Sequence, residues 1–194
     1  MPSDYLIWTR DIVPGACALS GMTGFEDDWK LIYGESVAND FPTKARLTMD
    51  PDSPRDVMLT DNLYNGDMLI VASARLRALI EKFASASLEY LPVPIFNHKK
   101  RAIAELYAIV HPTAPVECLI VEACEPEWGL INKKAIDSVE HLVIDEQRIP
   151  KDRLLFRPQL FCSVILVHRK LADEIDAASM TGVRWVELAD YPEA

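Results

Sequence analysis

The sequence predicts an α+β fold with mixed or mainly antiparallel sheets, few short helices and two related strand-helix-strand units. Two observations lead to this prediction. Short apolar runs bounded by Pro, Gly, Asn and Asp turn residues recur along the chain, which is typical of sheet proteins. Two segments instead show apolar residues at helical spacing, and each is enclosed by strand-like runs, the second unit lying 95 residues after the first.

The size and composition are those of a globular domain. The chain has 194 residues, of which 49% are hydrophobic and 26% charged, so it is long enough to bury a core and too apolar for disorder. We expect a single domain over 1–194. The internal repeat makes two lobes, at about 1–95 and 96–194, the alternative.

The first unit begins with an apolar strand at 68–71 and returns as a strand at 88–91. Between them, Leu76, Leu79, Ile80 and Phe83 fall on one face of a helix. Ser73 is placed to cap this helix, because its hydroxyl can accept a hydrogen bond from an otherwise unpaired backbone N–H.

The second unit repeats this pattern with a strand at 160–167, a helix at 168–179 and a strand at 182–188. Its helical face is formed by Leu171, Ile175 and Ala178. Gly182 tolerates the left-handed backbone that stops a helix, and His168 stands where Ser73 stands in the first unit. We therefore expect His168 at a helix boundary.

The remaining segments give weaker signals. Strands are predicted at 5–9, 116–121, 139–144 and 154–156, and loops at 11–24 and 122–129. The segment 102–110 fits the period of a strand or of a helix, and we favour the strand. The segment 35–67 is polar and turn-rich, and short strands at 45–49 and 57–59 are predicted to interrupt it.

No arrangement typical of catalysis or cofactor binding is present in the sequence. It has no G-x-S-x-G, no H-E-x-x-H and no glycine-rich phosphate loop. The four cysteines are scattered without zinc-site spacing, and the aspartates of the 40–61 region lack calcium-loop spacing. We expect no enzyme, no catalytic residue, no cofactor and no metal. The alternative is a hydrolase that uses His168 or His111 with a carboxylate.

The net charge and the hydropathy of the chain indicate which classes of partner it can bind. The net charge of −10 argues against nucleic-acid binding, which needs a basic surface, and would suit a basic protein partner. A moderately acidic surface that only confers solubility explains the charge as well. Because no apolar run approaches the roughly 20 residues of a membrane span and no secretory signal is visible at the start, we expect a cytoplasmic protein without membrane contact.

Several segments taken together resemble a bacterial family of immunity proteins of polymorphic toxin systems, which was long catalogued as a domain of unknown function and has a myxobacterial protein as its namesake. The likeness spans about residues 29 to 188. It is carried by Trp29-Lys-Leu-Ile-Tyr-Gly34, Asp40-Phe-Pro42, Asp61-Asn-Leu63, Leu69-Ile-Val-Ala-Ser73 with Leu76, Val116-Glu-Cys-Leu119, Leu155-Phe-Arg157, Ile165-Leu-Val-His168, Leu171 and Thr181-Gly-Val183. The chain departs from the family at Glu117, where Asp is expected, and at His168, where Ser is common.

The resemblance implies a cytoplasmic, non-catalytic protein that binds and neutralises a cognate toxin. Two acidic stretches that each hold a tryptophan are the candidate contact residues: Glu26, Asp27, Asp28 and Trp29, and Glu125, Glu127 and Trp128. The alternative for both is a core tryptophan beside solvated acids. The alternative function is a general protein-binding module whose partner is not a toxin. The sequence does not predict the oligomeric state.

Overall fold

The computed structural model describes residues 3–84, 86–130 and 132–192. Within these residues, 13 short strands in mainly antiparallel sheets combine with four short helices, which confirms the predicted α+β class. None of the helices in these ranges is both long and apolar enough to cross a bilayer.

The strands are β1 (Tyr5–Thr9), β2 (Ala18–Thr23), β3 (Arg46–Met49), β4 (Tyr64–Asn65), β5 (Ile70–Ser73), β6 (Leu88–Pro92), β7 (Ile95–Phe96), β8 (Tyr107–Pro112), β9 (Pro126–Trp128), β10 (Ile136–Val139), β11 (Leu155–Phe156), β12 (Leu166–His168) and β13 (Arg184–Glu187). The helices are α1 (Trp29–Tyr33), α2 (Ala74–Phe83), α3 (Val121–Cys124) and α4 (Arg169–Ala177). Short 3-10 turns cover Glu146–Arg148 and Leu188–Asp190.

The two strand-helix-strand units form the centres of two separate sheets, with strand orders β5-β8-β6 and β11-β12-β1-β13. In each unit the strands before and after the helix do not pair with each other, because a third, antiparallel strand lies between them. Val71, Ile109 and Leu91 share one rung of the first sheet, and Leu166, Ile7 and Val186 share the corresponding rung of the second. The flanking strands therefore match at the predicted offset of 95 residues.

The repeat also includes the segment before each unit. The hydroxyl of Tyr107 in β8 donates to the carbonyl of Thr60 at 2.8 Å, and the hydroxyl of Tyr5 in β1 donates to that of Arg153 at 3.4 Å. Likewise the Ser73 N–H donates to the Asp61 carbonyl at 2.7 Å, as His168 donates to Leu154 at 2.8 Å. Residues 60–63 and 153–156 are thus counterparts on the outer side of β5 and β12.

The central strand of each sheet comes from the other half of the chain. β1 lies between β12 and β13, although it precedes the whole first unit, and β8 lies between β5 and β6, although it follows residue 96. The division into one domain or two lobes stays a prediction. In the sheets, however, the segments 1–95 and 96–194 each supply a strand to the other.

Both central sheets are buried on both faces. Alternate residues face a central layer between the two sheets, to which α2 contributes Leu76 and Ile80 and α4 contributes Leu171 and Ile175. The other faces pack on separate clusters, one under the sheet β4-β2-β3-β7 and one under residues 116–149. Burying one such aliphatic side chain contributes about 1.5–3 kcal/mol, so this three-layer core is the main source of stability.

Two helix boundaries are confirmed. The Ser73 hydroxyl accepts from the Leu76 N–H at 3.2 Å, and His168 Nδ1 accepts from the Lys170 N–H at 3.1 Å, so each residue caps the helix that follows it. Gly182 has the predicted positive φ of 79°. It does not end α4, however, because the helix stops at Ala177 and Gly182 lies in the loop before β13.

Several sequence predictions outside the two units are wrong. The predicted loop 11–24 contains β2, whose alternate residues Leu19 and Met22 are buried. The predicted strand 116–121 makes only isolated bridges, through Val116 and Leu119, and its end opens α3. Glu122 to Gly129 holds α3 and β9 rather than a loop. Short apolar runs fit strand, turn and helix alike, so their neighbours in space decided these elements.

Candidate binding surfaces

The first acidic stretch surrounds the start of α1. Glu26 and Asp27 are exposed, and the Trp29 side chain is 44% exposed. The Trp29 ring contacts the Tyr33 ring edge-on at 6.1 Å, one helical turn later, while Leu31 on the opposite face is fully buried. The short helix is therefore anchored by Leu31 and presents an aromatic pair to solvent.

The second acidic stretch lies where α3 passes into the β9–β10 hairpin. Glu125 ends α3 with a positive φ of 47°, and Glu127 accepts a hydrogen bond from the Ser138 hydroxyl at 2.8 Å across the hairpin. Trp128 is 45% exposed and lies close in sequence to Leu130, which is 90% exposed. This hairpin presents two large apolar side chains beside two carboxylates.

The exposure of the two tryptophans decides whether they are core residues, but it does not test whether they bind a partner. Neither Trp29 nor Trp128 belongs to the core, unlike Trp8, so the interpretation of both as core residues is wrong. Among the described residues, no hydrogen bond, ion pair or ring contact joins the stretch 26–29 to the stretch 125–128. They are two separate surfaces, and their role in binding stays a prediction.

Two of the segments that carry the family resemblance are hydrogen-bonded to each other between the two units. We call this contact, formed by Asp61, Asn62, Thr181 and Gly182, the clamp. The Asp61 carboxylate accepts from Arg75 Nη2 at 2.9 Å, from the Thr181 N–H at 2.9 Å and from the Ser73 hydroxyl at 2.8 Å. Burial acts to raise the pKa of Asp61, but these hydrogen bonds outweigh it and hold the pKa below its ordinary value.

The other half of the clamp uses backbone groups. The Asn62 N–H donates to the Thr181 carbonyl at 3.0 Å, and Asn62 Nδ2 donates to the Gly182 carbonyl at 3.0 Å. A Cβ at Gly182 would collide with the Asn62 carbonyl and lie 2.7 Å from Thr60 Oγ1. Gly182 is thus required both for its φ and for this close approach.

Arg157, also in a resembling segment, is a buried cation that forms no ion pair with a carboxylate of the described residues. It is 1% exposed, its guanidinium donates to the carbonyls of Cys162 and Met68, and its Nε has no acceptor among the described residues. Burial lowers its pKa to about 10. Sequence reasoning missed this residue as a structural feature, because an arginine in Leu-Phe-Arg gives no sign of burial.

A groove of about 600 Å³ lies between the two units. Its walls include Trp8, Arg10, Ile12, Asn62, Tyr64 and Met68. A second cavity of about 210 Å³ adjoins it through Arg10, Ile12, Asn62 and Tyr64, and Cys17 lies on its wall. No pattern in the sequence indicated this groove, because its walls come from four separate segments.

The histidines of the hydrolase alternative serve the framework. His111 is 1% exposed, and its Nε2 lies 2.8 Å from the Glu35 carbonyl. His168 caps α4 and packs edge-on against the Tyr5 ring at 5.0 Å. Neither ring is hydrogen-bonded to a carboxylate in the described part of the chain. No group of three or more His, Cys, Asp or Glu residues in that part could hold a metal ion.

Comparison with known proteins adds no relative. No family model matches the chain, and no curated protein matches it. The resemblance to immunity proteins therefore stays a prediction that rests on the residues quoted for it.

Proposed function

We propose that this chain is an immunity protein, a cytoplasmic, non-catalytic protein that binds and neutralises a cognate toxin. One observation supports it most. On a chain of net charge −10, two tryptophans, Trp29 and Trp128, are each nearly half exposed and flanked by carboxylates. The exposed part of such a side chain contributes nothing to folding, and tryptophan is one of the residues most enriched among the anchors of protein interfaces.

The physical requirements of such an inhibitor fit these surfaces. A stable complex buries on the order of 1,600 Å² in total, with a few aromatic or Arg anchors inside a polar rim. Trp29 with Tyr33, and Trp128 with Leu130, supply apolar centres. Glu26, Asp27, Glu125 and Glu127 supply acidic rims, which would speed encounter with a basic toxin and help to fix its orientation.

The clamp supports the same division of roles. Asp61, Asn62, Thr181 and Gly182 hold the two units together, so these two resembling segments act as scaffold, whereas the resembling segment that begins at Trp29 carries a proposed anchor.

The test is co-expression with a toxin encoded beside this gene, followed by co-purification. We expect the wild-type chain to rescue growth and to bind the toxin. A triple variant, E26K with D27K and D28K, and a double variant, E125K with E127K, should each weaken binding about tenfold or more. A control that matches the double variant in charge, D173K with E174K on the exposed side of α4, should bind as the wild type does.

The outcomes separate the alternatives. Unchanged affinity in both reversal variants, with the fold intact by circular dichroism, would remove the two stretches as contact surfaces. Failure of both rescue and co-purification would favour a general binding module with another partner. In that case Trp29→Ala and Trp128→Ala should still reduce capture of that partner.

A further inference from the structure

The segment 34–37 follows α1 and connects the helix with the exposed aromatic pair to the rest of the fold. Gly34 ends the helix with a positive φ of 68°, and its carbonyl accepts from the Ala114 N–H at 3.0 Å. α1 has five residues, too few for a helix that is stable by itself. Its position therefore depends on the buried Leu31 and on the contacts of the segment 34–37.

Two side chains from adjacent strands hold this segment. Glu89 in β6 pairs directly with His111 in β8. The Glu89 carboxylate accepts from the Ser36 hydroxyl and, at 2.9 Å, from the Val37 N–H. His111 Nε2 lies 2.8 Å from the Glu35 carbonyl, and because a carbonyl only accepts, Nε2 carries the proton. One cross-strand pair thus fixes three consecutive residues after α1.

The site of His111 suits the neutral ring and not the charged one. The side chain is 1% exposed, and Nδ1 has no hydrogen-bond partner among the described residues. A proton on Nδ1 would be a buried N–H without an acceptor. Two charged groups act on the ring, Glu89 from β6 and Arg157 from the segment after β11. Burial lowers the pKa of His111 and the Arg157 cation adds to this, whereas the Glu35 carbonyl and Glu89 oppose it.

The charged ring reaches water only if a neighbouring element moves away, and the segment 34–37 is the neighbour that moves most readily. β8 is the central strand of its sheet and is hydrogen-bonded to both β5 and β6. Glu35 and Ser36, in contrast, are exposed loop residues. Exposed loops open at a lower free energy than central strands. Protonation of His111 therefore favours opening of this loop.

We propose that the Glu89–His111 pair positions α1 and releases it in mild acid, so that the surface at Trp29 is fixed at neutral pH and loosened below it. The open form takes up a proton near the ordinary value of about 6.5, whereas the closed form stays neutral down to its lowered pKa. The equilibrium constant for opening therefore rises up to about tenfold for each pH unit between these values. The release needs no partner, but its effect on toxin binding rests on the proposed function.

Hydrogen exchange of the full chain, followed by NMR, tests the release. After correction for intrinsic rates, protection of the Val37 and Ala114 amides should fall from pH 6.5 to pH 5 by up to about tenfold per unit. Amides of β1 and β12 should stay better protected at each pH, since they exchange only by global unfolding. His111→Gln keeps a donor for the Glu35 carbonyl but takes up no proton, so the fall should disappear. The exposed His141→Gln should keep it.

Two further variants separate positioning from the response to pH. His111→Leu lacks the donor, so both amides should lose about tenfold in protection already at pH 7.5, and His111→Gln should restore it. Glu89→Gln, on an edge strand, keeps one acceptor oxygen instead of two. It should lower protection at pH 7.5 and keep the dependence on pH, because His111 is intact.

Toxin binding at pH 7.5 and pH 5 tests the consequence. The wild type should lose about threefold or more in affinity relative to the loss in His111→Gln, since only the closed form presents a fixed surface. An equal loss in both chains would overturn the link to binding. The release itself is overturned if protection of Val37 and Ala114 does not depend on pH, if it equals that of β1 and β12 at every pH, or if His111→Gln keeps the fall. Absence of toxin binding at pH 7.5 contradicts the proposed function instead, and the exchange experiment still decides the release.

Discussion

At the scale of single residues, the burial of His111 makes the stability of the fold depend on pH. Burial lowers the pKa of His111, and the contact of Nε2 with the Glu35 carbonyl opposes this only in part. Burial also lowers the pKa of His168. Both histidines are thus held neutral in the fold, while in the unfolded chain they take up a proton near the ordinary value of about 6.5.

We therefore predict that stability falls as the pH falls below about 6.5. The unfolded state binds the proton first, so the stability is fully present above that pH and is lost towards the lowered folded-state pKa. Urea unfolding measures the difference in unfolding free energy between pH 7.5 and pH 5. Replacing His111 with Gln should make this difference smaller, by up to about 1.4 kcal/mol for each pH unit between about 6.5 and the lowered pKa of His111. Part of the difference should remain because of His168. Asp61 contributes to the pH dependence of stability only below about pH 4, because its pKa is lowered in the fold.

The exposed His141 is the control, and His141→Gln should keep the wild-type pH dependence. An equal pH dependence in His111→Gln and the wild type would contradict the assignment to His111. Sequence reasoning considered His111 and His168 for the hydrolase alternative and placed His168 correctly at a helix boundary. It did not identify His111 as the buried one, because burial depends on β8 lying between β5 and β6 and on the loop at Glu35.

At the scale of elements, the loop between α4 and β13 is the critical connection of the second unit. It brings Thr181 and Gly182 against Asp61 and Asn62, and Gly182 combines a positive φ with a close approach to backbone. Gly15 offers a matched comparison. It has the same φ of 79°, but a Cβ there would meet nothing within 4 Å.

We predict that Gly15→Ala costs about 1–2 kcal/mol, the backbone strain alone. Gly182→Ala should cost about 1–3 kcal/mol more, since the methyl group must also displace Asn62 and Thr60. Urea unfolding at neutral pH measures both. Equal losses in the two variants would mean that the clamp yields to the methyl group and is not a fixed contact.

At the scale of the whole molecule, the exchange of strands makes the two units interdependent. β1 and β8 each complete a sheet made mainly from the other half of the chain, and the central layer joins side chains of α2 and α4. Neither sheet can lose its central strand without exposing its side of this layer. The Asp61 carboxylate adds charge-assisted hydrogen bonds from the Thr181 N–H and hydroxyl across the same boundary.

We predict that the two units unfold in a single cooperative transition. In native-state hydrogen exchange with added denaturant, slow amides of β5 and β8 and those of β1 and β12 should converge on one opening free energy. The exposed hairpin β9–β10 should exchange with a lower free energy and is the internal control. Two separate plateaus, one for each sheet, would show that the units open independently.

The sequence by itself determined the α+β class, both strand-helix-strand units with their offset of 95 residues, and the caps at Ser73 and His168. Each is fixed by local periodicity or by a side chain that reaches its own helix, so neighbours in sequence suffice. It also singled out the two tryptophan stretches, but their exposure needed the structure, because Trp beside acids fits a core position equally well. Only the tertiary structure decided that the units occupy separate sheets and that β1 and β8 each pair with strands of the other half of the chain. It also decided that Thr181 is hydrogen-bonded to Asp61. The groove between the units and the burial of Arg157 belong to the same class. These features join residues from about 24 to 120 or more positions apart, or residues of several segments, and no pattern within a short window of sequence specifies such contacts.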